Sequence, residues 1–281
     1  MELLDSHAHY TDEKFDDDRE EVLNKIYNSG VTTIINAGYS LKSSKKAIEI
    51  VNEHKFIYAT VGVSPNDIDN LEEDYIEKLE QMAKAEKVVA IGEIGLDYYW
   101  NKENKEKQQD IFIKQIELAN KLDLPIVIHT REAVMDTLDI LKNKVTCKNK
   151  GVFHCCPLNI ELAKEALKLD FYISCAGPIT FKSSKNATDF INTIPMDRIL
   201  IETDSPYLSP EPVRGTRNNS SNVKYIAQKI AEIKQISIEE VATQTYQNAK
   251  TIFKLGDKKW LMKKNIKNFW RRMKKDTMHR D

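Results

Sequence analysis

The stretch Leu3-Leu4-Asp5-Ser6-His7-Ala8-His9 joins an apolar start to a polar end. The two leucines mark a short buried strand, and strand side chains alternate from face to face, so His7 and His9 point the same way. Two neutral imidazoles on one side of a strand end can chelate a divalent cation. They need further ligands from elsewhere in the chain. Of the four remaining histidines, His129 and His154 also directly follow short β-branched or apolar runs.

The same strand-then-helix unit repeats along the chain. Apolar residues Val22, Leu23 and Ile26 set among charges, followed by Gly30, predict a helix over 15–29 with a glycine stop. Strands are expected over 32–37, 57–63, 88–94, 125–130, 151–155, 171–175 and 199–203. Helices are expected over 43–54, 71–86, 105–122, 133–142 and 160–169, with a shorter one over 185–193. Strict alternation implies parallel strands joined by crossover helices. Eight such units close most naturally into a (β/α)8 TIM barrel, an α/β fold that typically takes about 250 residues, and the chain has 281. An open doubly wound sheet is the alternative, but the chain has neither the dinucleotide signature G-x-G-x-x-G nor a P-loop.

Barrels of this kind carry their catalytic groups at the C-terminal ends of the strands. His7, His9, Glu93, His129, His154 and Asp204 all fall at such ends, on expected strands one, four, five, six and eight. The set is too rich for one tetrahedral ion with an open position and suits two ions sharing a carboxylate. Glu93 is expected to bridge. His7, His9 and Asp204 complete one ion, because strands one and eight become neighbours on closure, and His129 and His154 complete the other. Two close ions suit phosphoester hydrolysis: they lower the pKa of a bound water and neutralise charge on the attacking and leaving oxygens. Asp204 is then both ligand and proton acceptor, with Glu93 the second catalytic carboxylate. Mg²⁺ is the first expectation, and mixed nitrogen and oxygen ligands also admit Mn²⁺ or Zn²⁺.

Composition narrows the classes further. Hydrophobic residues at 41% and charged residues at 30% describe a soluble globular chain, and no apolar run approaches the ~20 residues of a membrane span. The N-terminus has neither a basic region nor an apolar one of the secretory kind, so a cytoplasmic protein is expected, as a monomer. The cysteines at 147, 155, 156 and 175 form no CxxC pair and are expected to be reduced; Cys156, on the His154 side of its strand, is a conceivable soft ligand but reads first as a small hydrophobe.

The motifs Asp5-Ser6-His7-Ala8-His9, Gly92-Glu93-Ile94-Gly95-Leu96-Asp97-Tyr98, Pro125-Ile126-Val127-Ile128-His129-Thr130-Arg131-Glu132-Ala133, Phe153-His154-Cys155 and Glu202-Thr203-Asp204-Ser205-Pro206-Tyr207-Leu208 closely resemble, in order, those of the TatD family of metal-dependent deoxyribonucleases. The resemblance runs from about Met1 to Leu255. It implies an amidohydrolase-like barrel with divalent-metal phosphodiesterase activity on DNA, often as a 3′ to 5′ exonuclease, with the metal ligands at His7, His9, Glu93, His129, His154 and Asp204. The stretch Arg214-Gly215-Thr216-Arg217-Asn218 resembles the family's arginine-glycine loop, so Arg214 or Arg217 is expected to bind phosphate, since guanidinium matches two phosphate oxygens at once. Two departures stand out. The family's usual glycine-x-histidine-proline reads Gly62-Val63-Ser64-Pro65, which leaves Ser64 as an uncharged substrate contact, and the usual His-Cys-Phe-Ser-Gly reads His154-Cys155-Cys156-Pro157-Leu158.

Beyond the barrel of residues 1–255, the tail 256–281 holds ten Lys or Arg against three Asp, a net of +7 that leaves −8 for the body of a chain whose total is −1. Met262, Ile266, Phe269 and Met273 form one helical stripe, with Trp270 alongside. A nucleic-acid arm, a membrane-surface helix and a terminal helix packed on the barrel all fit this pattern. For the whole chain, a DNA-cleaving two-metal nuclease is the first expectation. The rivals are a barrel hydrolase of an amide or ester, such as an aminoacyl ester on RNA, and a weakly catalytic nucleic-acid binder.

Overall fold

In a computed structural model that describes residues 1–256, the strands are β1 (Leu3–Ala8), β2 (Val31–Ala37), β3 (Ile57–Val61), β4 (Val88–Asp97), β5 (Ile126–Arg131), β6 (Gly151–Phe153), β7 (Tyr172–Cys175) and β8 (Ile199–Ile201). Each is parallel to the next, in sequence order, and nearly every strand residue is buried. Burial on both faces is what crossover helices on one side and a closed interior on the other require. The helices α1 (Arg19–Asn28), α2 (Leu41–Glu53), α3 (Tyr75–Met82), α4 (Lys105–Leu122), α5 (Val134–Asp139), α6 (Ile160–Lys168), α7 (Ala187–Thr193) and α8 (Val223–Lys234) follow the eight strands in turn. A ninth, α9 (Ile238–Ile252), is additional. Among the described residues no helix is long and apolar enough to cross a membrane. The basic tail lies outside the described residues apart from Gly256.

The seam between β8 and β1 is held by specific groups. Ala8 and Ser205 form a parallel bridge, the His9 N–H donates to the Ser205 carbonyl at 2.7 Å, and the Asp204 N–H donates to the His7 carbonyl at 3.0 Å. Below them the buried Asp5 carboxylate accepts from the Thr203 N–H at 2.9 Å and from the Thr203 hydroxyl. The barrel is thereby nearly closed, and His7, His9 and Asp204 meet across its seam.

Side-chain alternation sorts the interior into layers. Leu4, Ile35, Val89, Val127, Val152, Tyr172 and Leu200 come from seven different strands yet form one buried cluster, with Tyr58 of β3 packed against it. A cluster that draws on all eight strands lies inside the barrel. Its floor is α9, through Ala249, Ile252, Phe253 and Leu255. This helix starts at a Ser237/Glu240 capping box, and its Asn248 amide donates to the Met196 and Ile199 carbonyls at the start of β8. Two residues further along the strands, the same interior face carries His129, His154, Ser174 and Glu202. A dry floor thus lies beneath a polar layer, and the Ser6 and Ser174 hydroxyls meet at 3.1 Å within that layer.

Several boundaries differ from the sequence expectation. The first helix begins at Arg19, because Glu13–Phe15 forms a separate 3₁₀ turn capped by Asp12. The third spans only Tyr75–Met82. Strand β4 continues to Asp97, so Glu93 lies within it and not at its end. That continuation depends on Gly95, which has φ +140° and no side chain; a Cβ there would sit 2.0 Å from the His129 carbonyl oxygen.

Candidate metal centre

The structure brings His7, His9, Glu93, His129, His154 and Asp204 together at one mouth of the barrel. Glu93, 6% exposed, is at the centre. Its Oε2 faces His7 Nε2 at 3.4 Å and His9 Nε2 at 3.6 Å. Its Oε1 faces His129 Nδ1 at 3.2 Å and His154 Nε2 at 3.5 Å. Asp204 closes the first group, with Oδ1 at 3.2 Å from His9 Nε2 and 3.9 Å from His7 Nε2. Asp204 adopts φ +54°, the left-handed conformation that an aspartate tolerates better than most residues. The two groups adjoin: the His7 ring stacks on that of His154 with centroids 3.9 Å apart.

Each imidazole has an inward and an outward nitrogen, and the outward ones of His9, His129 and His154 have partners that the sequence reading left without a role. His129 Nε2 lies 3.0 Å from Asp97 Oδ2, His154 Nδ1 lies 3.3 Å from Glu202 Oε1, and His9 Nδ1 lies 3.3 Å from the Ala37 carbonyl. Outward acceptors of this kind fix the tautomer and leave a lone pair pointing inward, as a metal ligand needs. Among the described residues, His7 Nδ1 is buried without a hydrogen-bond partner. The inward atoms lack complementarity to one another: His7 Nε2 lies 3.1 Å from His9 Nε2, and His129 Nδ1 lies 3.2 Å from His154 Nε2. Ring nitrogens that converge pairwise around a shared carboxylate suit divalent cations, so the residues present fit the metal that the sequence implies.

Electrostatics agree with a tightly coupled set. Burial alone would raise the Glu93 pKa, but His154, His129 and His7 outweigh it and hold the carboxylate well below its ordinary range. For Asp204 burial again opposes ionisation, and His9 overcomes it. Burial would lower the His154 pKa, yet Glu93 and Glu202 hold it well above normal. His9 and His129 are likewise raised against burial, by Asp204 and by Asp97 with Glu93 respectively. His7 alone is lowered, by burial and by the neighbouring His154.

The expected substrate contacts are placed differently. Ser64 is buried, and its hydroxyl donates to Asp67 Oδ2 at 2.8 Å. Arg214 lies over the Phe181 ring at 3.7 Å and makes one long bond, 3.4 Å, to the Ser209 carbonyl. Arg217 is paired with Asp18, its Nη1 lying 2.9 Å from Oδ1. Cys156 is buried, and burial pushes its thiol well above the usual range, as for a small hydrophobe. Asp97 and Glu202 carry no periodicity signal that separates them from ordinary strand-end acids. Only the structure shows that Asp97, at the end of β4, meets His129 and that Glu202, just after β8, meets His154. Beside the centre, Tyr39 meets His9 edge-on at 5.4 Å and helps line a polar cleft of about 410 Å³ with Thr11, Asp12, Ser43, Lys46 and Tyr207.

Known proteins match most of this chain. The family described as "TatD related DNase" matches residues 4–254. The uncharacterized metal-dependent hydrolase YabD of Bacillus subtilis is 42% identical over 254 residues, 90% of this chain and 100% of that protein. The uncharacterized metal-dependent hydrolase YcfH of Escherichia coli is 37% identical, over 90% of this chain and 96% of that protein. The crystal structure of YJJV, a TatD homolog from Escherichia coli, superposes with a TM-score of 0.85 at 26% identity, covering 90% of this chain and 98% of that one.

Proposed function

The chain belongs to the TatD family of metal-dependent hydrolases, and from that premise we propose that it hydrolyses phosphodiester bonds of DNA, removing nucleotides from a 3′ end, with two divalent cations. The observation that carries this reading is the placement of Glu93, whose two carboxylate oxygens each face a different pair of imidazoles. His7, His9, Asp204 and Glu93 Oε2 would hold one cation; His129, His154 and Glu93 Oε1 would hold the other. Mg²⁺ is the first candidate, with Mn²⁺ or Zn²⁺ as substitutes. When bound, such a pair lowers the pKa of a water and neutralises charge on the attacking and leaving oxygens of a phosphodiester.

The protein's own groups do the remaining work. Asp204, held ionised by His9, accepts the proton of the attacking water through its carboxylate. Asp97 and Glu202 keep the His129 and His154 rings aimed inward. Of the two loop arginines, Arg214 retains guanidinium donors without a partner among the described residues, whereas Arg217 must first leave Asp18. Ser64 serves substrate indirectly, by orienting the Asp67 carboxylate.

The test is incubation of purified protein with end-labelled single- and double-stranded DNA in Mg²⁺, Mn²⁺ or EDTA. The reading requires stepwise shortening from the 3′ end that EDTA abolishes. Cleavage that persists after exhaustive chelation contradicts it.

A further inference from the structure

Immediately after β4 the chain presents Tyr99 and Trp100 to solvent, 45% and 68% exposed. Six large hydrophobic residues are this exposed among the described residues, and three of them, Tyr99, Trp100 and Met135, follow β4 or β5, the strands that carry Glu93 and His129. Their exposure is therefore concentrated at the mouth that holds the candidate metal centre. The two aromatic rings meet nearly perpendicular, at 87° and 4.8 Å between centroids. The Arg131 guanidinium lies 3.8 Å from the Tyr99 centroid and 5.4 Å from that of Trp100. Arg131 has no carboxylate partner among the described residues, so its charge remains available.

This step is built into the fold. Asp97 Oδ1 accepts from the N–H groups of Tyr99 and Trp100 at 2.9 and 3.1 Å, while Asp97 Oδ2 meets His129 Nε2 at 3.0 Å. One carboxylate thus joins the aromatic pair to an imidazole of the centre. The buried Gln108 of α4 pins the same turn, accepting from the Asp97 N–H at 2.8 Å and donating to the Asn101 carbonyl at 2.9 Å. A segment tethered at both ends that still leaves an indole exposed is shaped to receive a flat partner.

We propose that Trp100 and Tyr99, with Arg131, form a stacking step for a base of single-stranded DNA adjoining the phosphate that is cleaved. The inference rests on the nuclease reading and adds the seat of the flanking base. Aromatic faces accept any base, and an unpaired guanidinium beside them meets the phosphate that follows, the combination that binds single strands without sequence preference. A base still paired in a duplex offers no free face to such a step.

The experiment compares a single-stranded oligonucleotide with one of the same length whose nucleotides near the 3′ end lack bases, using wild type, Trp100→Ala and Trp100→Phe with Mn²⁺. Wild type should have the lower KM on the base-bearing strand. Trp100→Ala should raise that KM roughly 5- to 100-fold, the range of single-base stacking, leave kcat near wild type and leave KM on the base-free strand unchanged. Trp100→Phe should restore most of the difference. Equal effects of Trp100→Ala on both strands would assign Trp100 to the support of Asp97 and His129 and overturn the step. Loss of self-association in the variant, with both KM values unchanged, would make the patch a protein contact and overturn it equally. A wild type that cleaves both strands with the same KM refutes the step while upholding the nuclease; one that cleaves neither refutes both.

Discussion

Glu202 shows how much of the site depends on residues that would touch no metal. It is wholly buried; one oxygen accepts from the Cys155 N–H at 2.7 Å and meets His154 Nδ1, while the other is without a partner among the described residues. Its negative charge raises the basicity of the imidazole that would bind metal. Glu202→Gln keeps the shape and removes the charge, so metal affinity should fall about 10- to 100-fold, the usual cost of losing an outer acceptor. Titration calorimetry with Mn²⁺ checks this, and an unchanged dissociation constant would reduce Glu202 to a packing residue. His7, His9, Glu93, His129, His154 and Asp204 were legible in the sequence because each follows or interrupts an apolar strand, so alternation and strand order place them on one mouth. Asp97 and Glu202 were not, because an acid at a strand end looks the same whether it faces solvent or an imidazole.

At the scale of elements, alternation of strands and helices made the eight-stranded barrel readable, but not the close approach that sets its details. Gly95 lets β4 pass against the backbone of β5, and this extension carries Asp97 to His129. Gly95→Ala places a methyl group against the His129 carbonyl in a conformation that side chains rarely adopt. It should cost roughly 3 kcal/mol from strain and overpacking together, seen as a melting point lower by about 6–12 °C and as weaker metal binding. A variant with wild-type melting and metal affinity would show that the close approach at Gly95 does not position Asp97. Helix α9 is the element that periodicity alone could not place, since an amphipathic helix beyond the eighth unit can cover many surfaces. It closes the interior with Phe253, which is fully buried. Phe253→Ala should destabilise the protein by about 3–5 kcal/mol, read by denaturant unfolding, while kcat of the folded fraction stays near wild type. A loss below 1 kcal/mol would mean that α9 is not the floor of the core.

For the whole molecule, the centre couples stability to both pH and metal. The His9, His129 and His154 pKa values are raised above their ordinary value of about 6.5, so their protonation stabilises the metal-free fold fully below that value. This contribution is lost as pH rises through the raised folded values. Metal requires the deprotonated rings, so its affinity runs the opposite way. The rise in melting temperature on adding Mn²⁺ should therefore be larger at pH 8 than at pH 6, and an equal rise at both would mean that these imidazoles do not bind the ion. In the proposed function, Glu93 ties two groups of ligands into one hydrolytic centre. Metal content and DNA cleavage, measured together on wild type and Glu93→Ala after reloading with excess Mn²⁺, test it most directly. Wild type should hold about two ions per chain, and the variant should hold fewer and cleave on the order of 100-fold or more slowly. A variant that binds as many ions as wild type and cleaves DNA at the wild-type rate would contradict it.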